Sequence, residues 1–364
     1  MNNYVWALLA YLILNGCSSN HSQQNVENPE LLLTSSNFQT SILYALKNGR
    51  MTEIATGLSA DPILLGLKDQ IFIFNRKDTD LNFNRVSLTG SRAIQLQNQT
   101  NSAPLMPGDP TSAAELPNHD LLLTGYTSGK IFKLNPALSK IEEINLKFDT
   151  GTGPFRPFDI YVTSKNDQTK IFILHHGLDE SFKPNGREML FIASWNGTSL
   201  APIDMDPNLE GNQGIKVKST SPQFLFKNQN EPLVVGLCDS IGINKKCAIE
   251  RLNSDSLSLS EVSNLSEFNG TSANAVTEGF DLHSIFFMRE ISANEIAITN
   301  FDFSGQSKVI FTLRNEGFQA FIKSDLTRGK LYGGANNALL EFQGDVLLKR
   351  HPLLYSPYNG YTVE

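Results

Sequence analysis

Histidine is the side chain whose ordinary pKa lies closest to neutral, and this chain of 364 residues carries six of them. Two are adjacent, His175-His176, at the end of the apolar run Thr169-Lys170-Ile171-Phe172-Ile173-Leu174. On a strand, neighbouring side chains face opposite sides, so at most one of the two rings can enter a given cleft. One reading makes His176 a general base assisted by Asp179 or Glu180. The other makes one histidine a solvent-facing turn residue and its neighbour a hydrogen-bonded core group. His119, His283 and His351 stand alone and read as structural or exposed.

Asp204-Met205-Asp206-Pro207-Asn208 alternates oxygens as a calcium loop does, but lacks the glycine and distal glutamate that complete one. The GTGP stretch at 151–154 and Gly333-Gly334 read as turns, because no helix follows to hold a phosphate. Phe303-Ser304-Gly305 is not a nucleophile elbow. No catalytic constellation and no metal set emerges from these types and spacings. His176 is the one catalytic candidate, and only if the chain hydrolyses something.

The cysteines carry location more than catalysis. Met1 to Leu14 is an uncharged apolar segment too short to span a bilayer. Leu14-Asn15-Gly16-Cys17 after it resembles a bacterial lipobox, which makes Cys17 the lipidated residue. Ser18 in the following position, by resemblance to enterobacterial lipoproteins, implies the outer membrane. The expected organisation is a signal peptide over 1–16, a flexible polar tether over 17–29 and one domain over 30–364. Export lets the two remaining cysteines, Cys238 and Cys247, pair as a disulfide clasp across an eight-residue loop, worth about 2–3 kcal/mol in the chain-entropy model. Three cysteines are too few for a four-cysteine zinc site.

Lys and Arg number 30 against 37 Asp and Glu, a formal charge of -7 with no basic block. That balance excludes the electrostatic footprint of a nucleic-acid binder. The elements that must position any site are short strands. Apolar strand, Asn/Gly/Asp turn, apolar strand recurs about every 40–50 residues, as in 62–75, 119–135, 169–197, 294–313 and 329–349. A repeat of that length predicts an all-β propeller of four-stranded antiparallel blades. Segments near 30–57, 61–90, 110–148, 156–203, 216–264, 278–315 and 318–350 make seven blades. They make six if the first segment instead completes the last blade. Shared terminal strands are expected to close the ring, and 98–112 is expected to be a long loop between blades.

Residues 109–196 resemble the paraoxonase/arylesterase family of six-bladed, calcium-dependent lactonases. The resembling phrases are Leu116-Pro117-Asn118, LLLTGYTSGKI, Phe148-Asp149, Phe155-Arg156-Pro157-Phe158-Asp159-Ile160 and IFILHHG, with a fainter echo in VTEGFDL at 276–282. The resemblance implies a propeller, and the chemistry departs from it. The family's Glu-Asp pair falls on Thr111 and Ser112, one family histidine falls on Phe158, and the other maps onto His176. The family's later asparagine falls in Ser284-Ile285-Phe286-Phe287, and a further Asp-Asn pair falls near Gln319-Ala320. Losing most carboxylate ligands argues against calcium, so calcium belongs only to the hydrolase alternative. The expectation is therefore a lipid-anchored envelope propeller that binds a protein, peptide or glycan without catalysis. The alternative is a divergent lactonase or arylesterase with His176 as base.

Overall fold

The computed structural model describes residues 26–363 apart from 59, 61, 68–69, 75–82, 89–93, 100–108, 136–140, 152, 221, 223, 228–232, 236–247, 265–272, 282, 293 and 317–320. The expected signal peptide, Cys17, most of the tether, Cys238, Cys247 and Gln319-Ala320 lie outside the described residues.

Among the described residues, seven antiparallel sheets arise from apolar runs punctuated by turns. Blade one holds Leu31–Ser36, Ser41–Lys47 and Arg50–Leu58, and blade two holds Ile63–Leu67, Gln70–Phe74, Phe83–Leu88 and Ile94–Gln99. Blade three runs through Pro110–Glu115, Leu121–Gly125, Lys130–Leu134 and Ile141–Ile144. Blade four has Pro157–Lys165, Gln168–His175, Met189–Trp195 and Leu200–Ile203, with Ile215–Lys216 added alongside the third of these. Blade five has Leu225–Lys227, Leu233–Val235, Ala248–Asn253 and Ser258–Asn264. Blade six has Ala273–Glu278, Ser284–Ser292, Glu295–Asp302 and Ser307–Arg314, and blade seven has Ile322–Asp325, Lys330–Ala335, Ala338–Gln343 and Val346–Pro352. No helix occurs among the described residues.

The all-β propeller expected from the repeat is therefore present, with seven sheets. The six blades implied by the family resemblance, and the option of folding the first segment into the last blade, are corrected. The partner of the first segment is the C-terminal strand Ser356–Thr362, which pairs antiparallel with Leu31–Ser36. It supplies the innermost strand of blade one and leaves no open gap between chain ends. The long loop expected at 98–112 is shorter, because Asn98 and Gln99 still belong to blade two and Pro110 already opens blade three. Gly333-Gly334 lies inside a strand, not a turn. A Cβ on Gly333 would sit 2.8 Å from Ile298 Cδ1 of blade six, so glycine permits the close approach of those two sheets.

The core lies between blades, in seven apolar clusters that each join two neighbours. Alternation along a strand sorts side chains between them. Leu32 packs toward blade two, while Leu31 and Leu33 pack toward blade seven. Ile71 and Ile73 meet blade one, and Phe72 and Phe74 meet blade three. In blade four, Ile171 and Ile173 face blade three while Phe172 and Leu174 face blade five. Ile285 and Phe287 meet Ile249 of blade five, and Phe286 and Met288 meet blade seven.

A buried polar network accompanies closure between blades seven and one. Lys330 Nζ lies 2.7 Å from Glu30 Oε2 and 2.8 Å from Glu341 Oε1, and His351 Nε2 lies 2.8 Å from Glu341 Oε2. Burial opposes the charge on Glu341, but hydrogen bonds with Lys330 and His351 hold its carboxyl below the usual range. His351 is thus a buried structural residue.

Deleting residues 356–364 should abolish the single cooperative unfolding transition expected of the closed ring, because it exposes the backbone edge of Leu31–Ser36 and opens the apolar cluster around Leu32. Circular dichroism melts would reveal this. An unchanged midpoint would mean that strand pairing at the seam does not hold the ring shut.

Candidate functional site

The residues singled out by sequence meet at one end of blades three and four. This end carries the starts of the innermost strands, at Pro110 and Pro157, and the ends of the second strands, at Gly125 and His175. Pairing is irregular there in both blades. Register shifts between Pro110 and Ala113, so Thr111 and Ser112 together oppose the single residue Thr124, and between Pro157 and Asp159, so Phe158 is extra. Such bulges re-aim side chains out of the regular alternation.

Thr111 and Ser112, which stand where the family resemblance places carboxylates, tie blades together. Thr111 Oγ1 donates to Pro157 O at 3.2 Å, and Ser112 Oγ donates to Asp159 Oδ1 at 2.5 Å. Asp159 also accepts the Ile160 N–H at 2.8 Å and, through Oδ2, the Leu225 N–H of blade five at 2.7 Å. One carboxyl therefore bridges three consecutive blades. Burial pushes its pKa up to about 6, while the hydrogen bonds from Ser112, Leu225 and Ile160 oppose that rise.

Phe158 and His176, the positions aligned with two family histidines, do come together. Their rings stack at 4.3 Å between centroids with planes 23° apart. His176 is 2% exposed, and its Nδ1 lies 2.9 Å from the Tyr126 hydroxyl. Asp179 Oδ1 is engaged by the N–H groups of Ser181 and Lys183, turning its own loop. His175 lies on the other side of the strand, as alternation requires, 0% exposed and packed against Phe155 and Phe191. The expectation that one histidine of the pair faces solvent is corrected. Both are buried, because His175 packs against Phe155 and Phe191 and His176 against Phe158 and Tyr126. Burial holds the His175 pKa down at about 4 against a hydrogen bond with the Arg156 backbone, and the positive charge of Arg156 adds to the lowering.

The feature that sequence reasoning missed is Arg156. It is 6% exposed at the head of the innermost strand of blade four. Its backbone N–H donates to His175 Nδ1 at 3.0 Å. Its guanidinium lies 4.2 Å from the ring centre of Phe182 and 5.4 Å from that of Tyr126. Tyr126 and Phe182 are themselves stacked at 6.5 Å, and Phe182 is 49% exposed with φ +60°. A cation against aromatic faces is favourable by roughly 0.5–2 kcal/mol. The only hint in sequence was Arg156 beside the two prolines and phenylalanines of Pro154-Phe155-Arg156-Pro157-Phe158.

Elsewhere the candidates are structural. Asp204 Oδ1 accepts the N–H groups of Asp206 and Gln213, and Asp206 Oδ1 accepts that of Asn208, so this segment is a pair of side-chain turns. His119 pairs with Glu115 on the surface. Among the described residues no three His, Cys, Asp or Glu side chains converge as metal ligands.

The sequence matches no protein-family model and no curated protein. The fold is similar to solved structures over nearly its whole length. A Lactobacillus plantarum protein aligns with TM-score 0.62 and 14% identity, over 92% of this chain and 100% of that one. A candidate 6-phosphogluconolactonase from Bacteroides fragilis aligns with TM-score 0.62 and 14% identity, over 92% and 97%. An inactive variant of virginiamycin B lyase from Staphylococcus aureus with quinupristin aligns with TM-score 0.51 and 14% identity, over 91% and 99%. At such identities the likeness shows the propeller fold alone.

Asp159 and His175 should tilt stability with pH in opposite directions. Between about pH 3.8 and 6 the folded chain keeps the Asp159 proton that the unfolded chain has released, so this contribution falls as pH rises. Between about pH 6.5 and 4 the unfolded chain protonates its histidine while folded His175 stays neutral, so that contribution falls as pH drops. Each window spans about two pKa units, about 3 kcal/mol. Relative to wild type, Asp159→Asn should gain melting temperature from pH 4 to 7, and His175→Gln should gain it from pH 7 to 4. Parallel slopes for the two variants would refute the assignment.

Proposed function

We propose that the protein is a lipid-anchored envelope propeller, tethered through Cys17 at the outer membrane, that binds a protein, peptide or glycan without catalysing a reaction. The observation that carries the reading is the cover over blades three and four. There the half-exposed Phe182 lies over the buried Arg156 and Tyr126, so that three separate connections meet in one aromatic and cationic cover. Aromatic and arginine side chains are the types that anchor partners. A closed ring holds such loops in fixed relation, since both faces of each blade are packed. The histidine pair supports binding over chemistry, because Phe158 fills the place a second proton carrier would need.

A second reading, a divergent lactonase or arylesterase, draws on the Tyr126 hydroxyl at His176 Nδ1, which fixes that ring as a base would require. Two of the similar folds are named for a lactonase and a lyase. Calcium would enter only under this reading.

Hydrolysis of aryl esters and lactones should stay at the background rate with and without calcium, and His176→Gln should leave it unchanged. Melting temperature should not rise up to millimolar calcium. Activity lost in His176→Gln, or a chelator-reversible rise with calcium, would replace the binding reading with the hydrolytic one. Growing cells with a labelled fatty acid should label the protein, and Cys17→Ala should remove both the label and its place in the membrane fraction. Unlabelled wild type would remove the anchor.

A further inference from the structure

Two buried side-chain donors in the loops over blades three and four, on Arg156 and Asn185, have no acceptor among the described residues. Arg156 makes no ion pair among the described residues, its Nη2 donates only to the Asp179 carbonyl at 3.3 Å, and its Nε has no partner. Asn185 Oδ1 accepts the Arg187 N–H at 2.9 Å, which leaves Nδ2 as donor, again buried and unpaired. A Cβ on Gly153 would lie 2.5 Å from that Nδ2, so the Asn185 amide is set directly against the segment leading to Arg156.

Each unpaired buried donor costs about 1–3 kcal/mol, and a buried charge with no counter-charge costs more. Cation–π contact with Phe182 and Tyr126 offsets only part of this. The sign of the imbalance selects the ligand. Donors with a fixed positive charge repel metal cations and attract an oxyanion, and a guanidinium presents parallel N–H groups that match carboxylate and phosphate oxygens.

We propose that the loops around Arg156 form an oxyanion site, in which Arg156 receives a carboxylate or phosphate group of the ligand and Phe182 is the displaceable cover over the guanidinium. It rests on reading the same loops as the binding surface, and it specifies the chemistry of what binds. Phe182 occupies one face of the guanidinium from a half-exposed loop position, so an entering anion gains the edge donors while the ring shifts outward.

The test is thermal unfolding of the full chain titrated with sodium phosphate and, separately, sodium acetate, against sodium chloride of equal ionic strength. One of the two anions should give a saturable rise in melting temperature that chloride does not. Phosphate alone identifies a phosphoryl ligand, and acetate identifies a carboxylate. Arg156→Lys should weaken the response about tenfold, because an ammonium lacks the paired donors. Arg156→Met should remove it while far-UV circular dichroism stays native. Phe182→Ala keeps the arginine and lowers the competition for it, so its apparent Kd should fall several-fold, which keeps the test decisive if Arg156→Met fails to fold. Equality with chloride for both anions in wild type and Phe182→Ala overturns the site, as does a response that a folded Arg156→Met retains. Failure here with no hydrolase activity leaves the binding reading standing. An oxyanion response together with His176-dependent hydrolysis removes that reading and keeps the site.

Discussion

The whole structure depends on burying both faces of the second strand of a blade. A blade is a sheet clamped between two neighbours, so strands such as Leu31–Ser36, Gln70–Phe74 and Leu121–Gly125 have little or no solvent side. They read as unbroken apolar runs in place of the alternation seen in half-exposed sheets. Leu31-Leu32-Leu33, Ile71-Phe72-Ile73-Phe74 and Leu121-Leu122-Leu123 are such runs, and odd and even positions go to different inter-blade clusters. No blade can satisfy both faces alone, so the sheets are stable only as a ring, and the ring must close. Closure by Ser356–Thr362 against Leu31–Ser36 meets that demand with backbone hydrogen bonds, and the Glu30–Lys330–Glu341–His351 network fills the seam between blades seven and one.

Rigidity of this kind makes local irregularity informative. The innermost strands of blades three and four depart from regular pairing at their upper ends, and the displaced residues are Thr111, Ser112 and Phe158. The bulges bring two hydroxyls and a phenyl ring into positions where the family resemblance implies carboxylates and a histidine. Thr111 and Ser112 serve as latches between blades, and Phe158 serves as a stacking partner. Asp159 beside them is held by donors from blades three, four and five, so this one buried carboxyl ties the ring together.

Much of this was legible in the order of residues, for a simple reason. Strand runs, turns and their 40–50-residue recurrence are local properties, and they placed seven blade segments close to their observed bounds. The opposition of His175 and His176 also followed from strand geometry alone. Burial of both rings did not, because it is set by Tyr126, Phe155, Phe158 and Phe191, which reach the strand end from other parts of the chain. Arg156 was illegible for a related reason. A single arginine in a polar count carries no signal, and its meaning comes from Phe182 and Tyr126, which lie 26 positions after it and 30 before it.

The sequence by itself therefore determined the class of fold, the blade repeat and the hairpins within a blade, since these depend on neighbours a few residues apart. Tertiary structure alone decided the number of sheets in the ring, the strand that closes it, and the cover over blades three and four. Those outcomes depend on which distant segments meet, such as Leu31 with Thr362 or Ser112 with Asp159 and Leu225. Packing between blades fixes such meetings, and no local pattern along the chain encodes it.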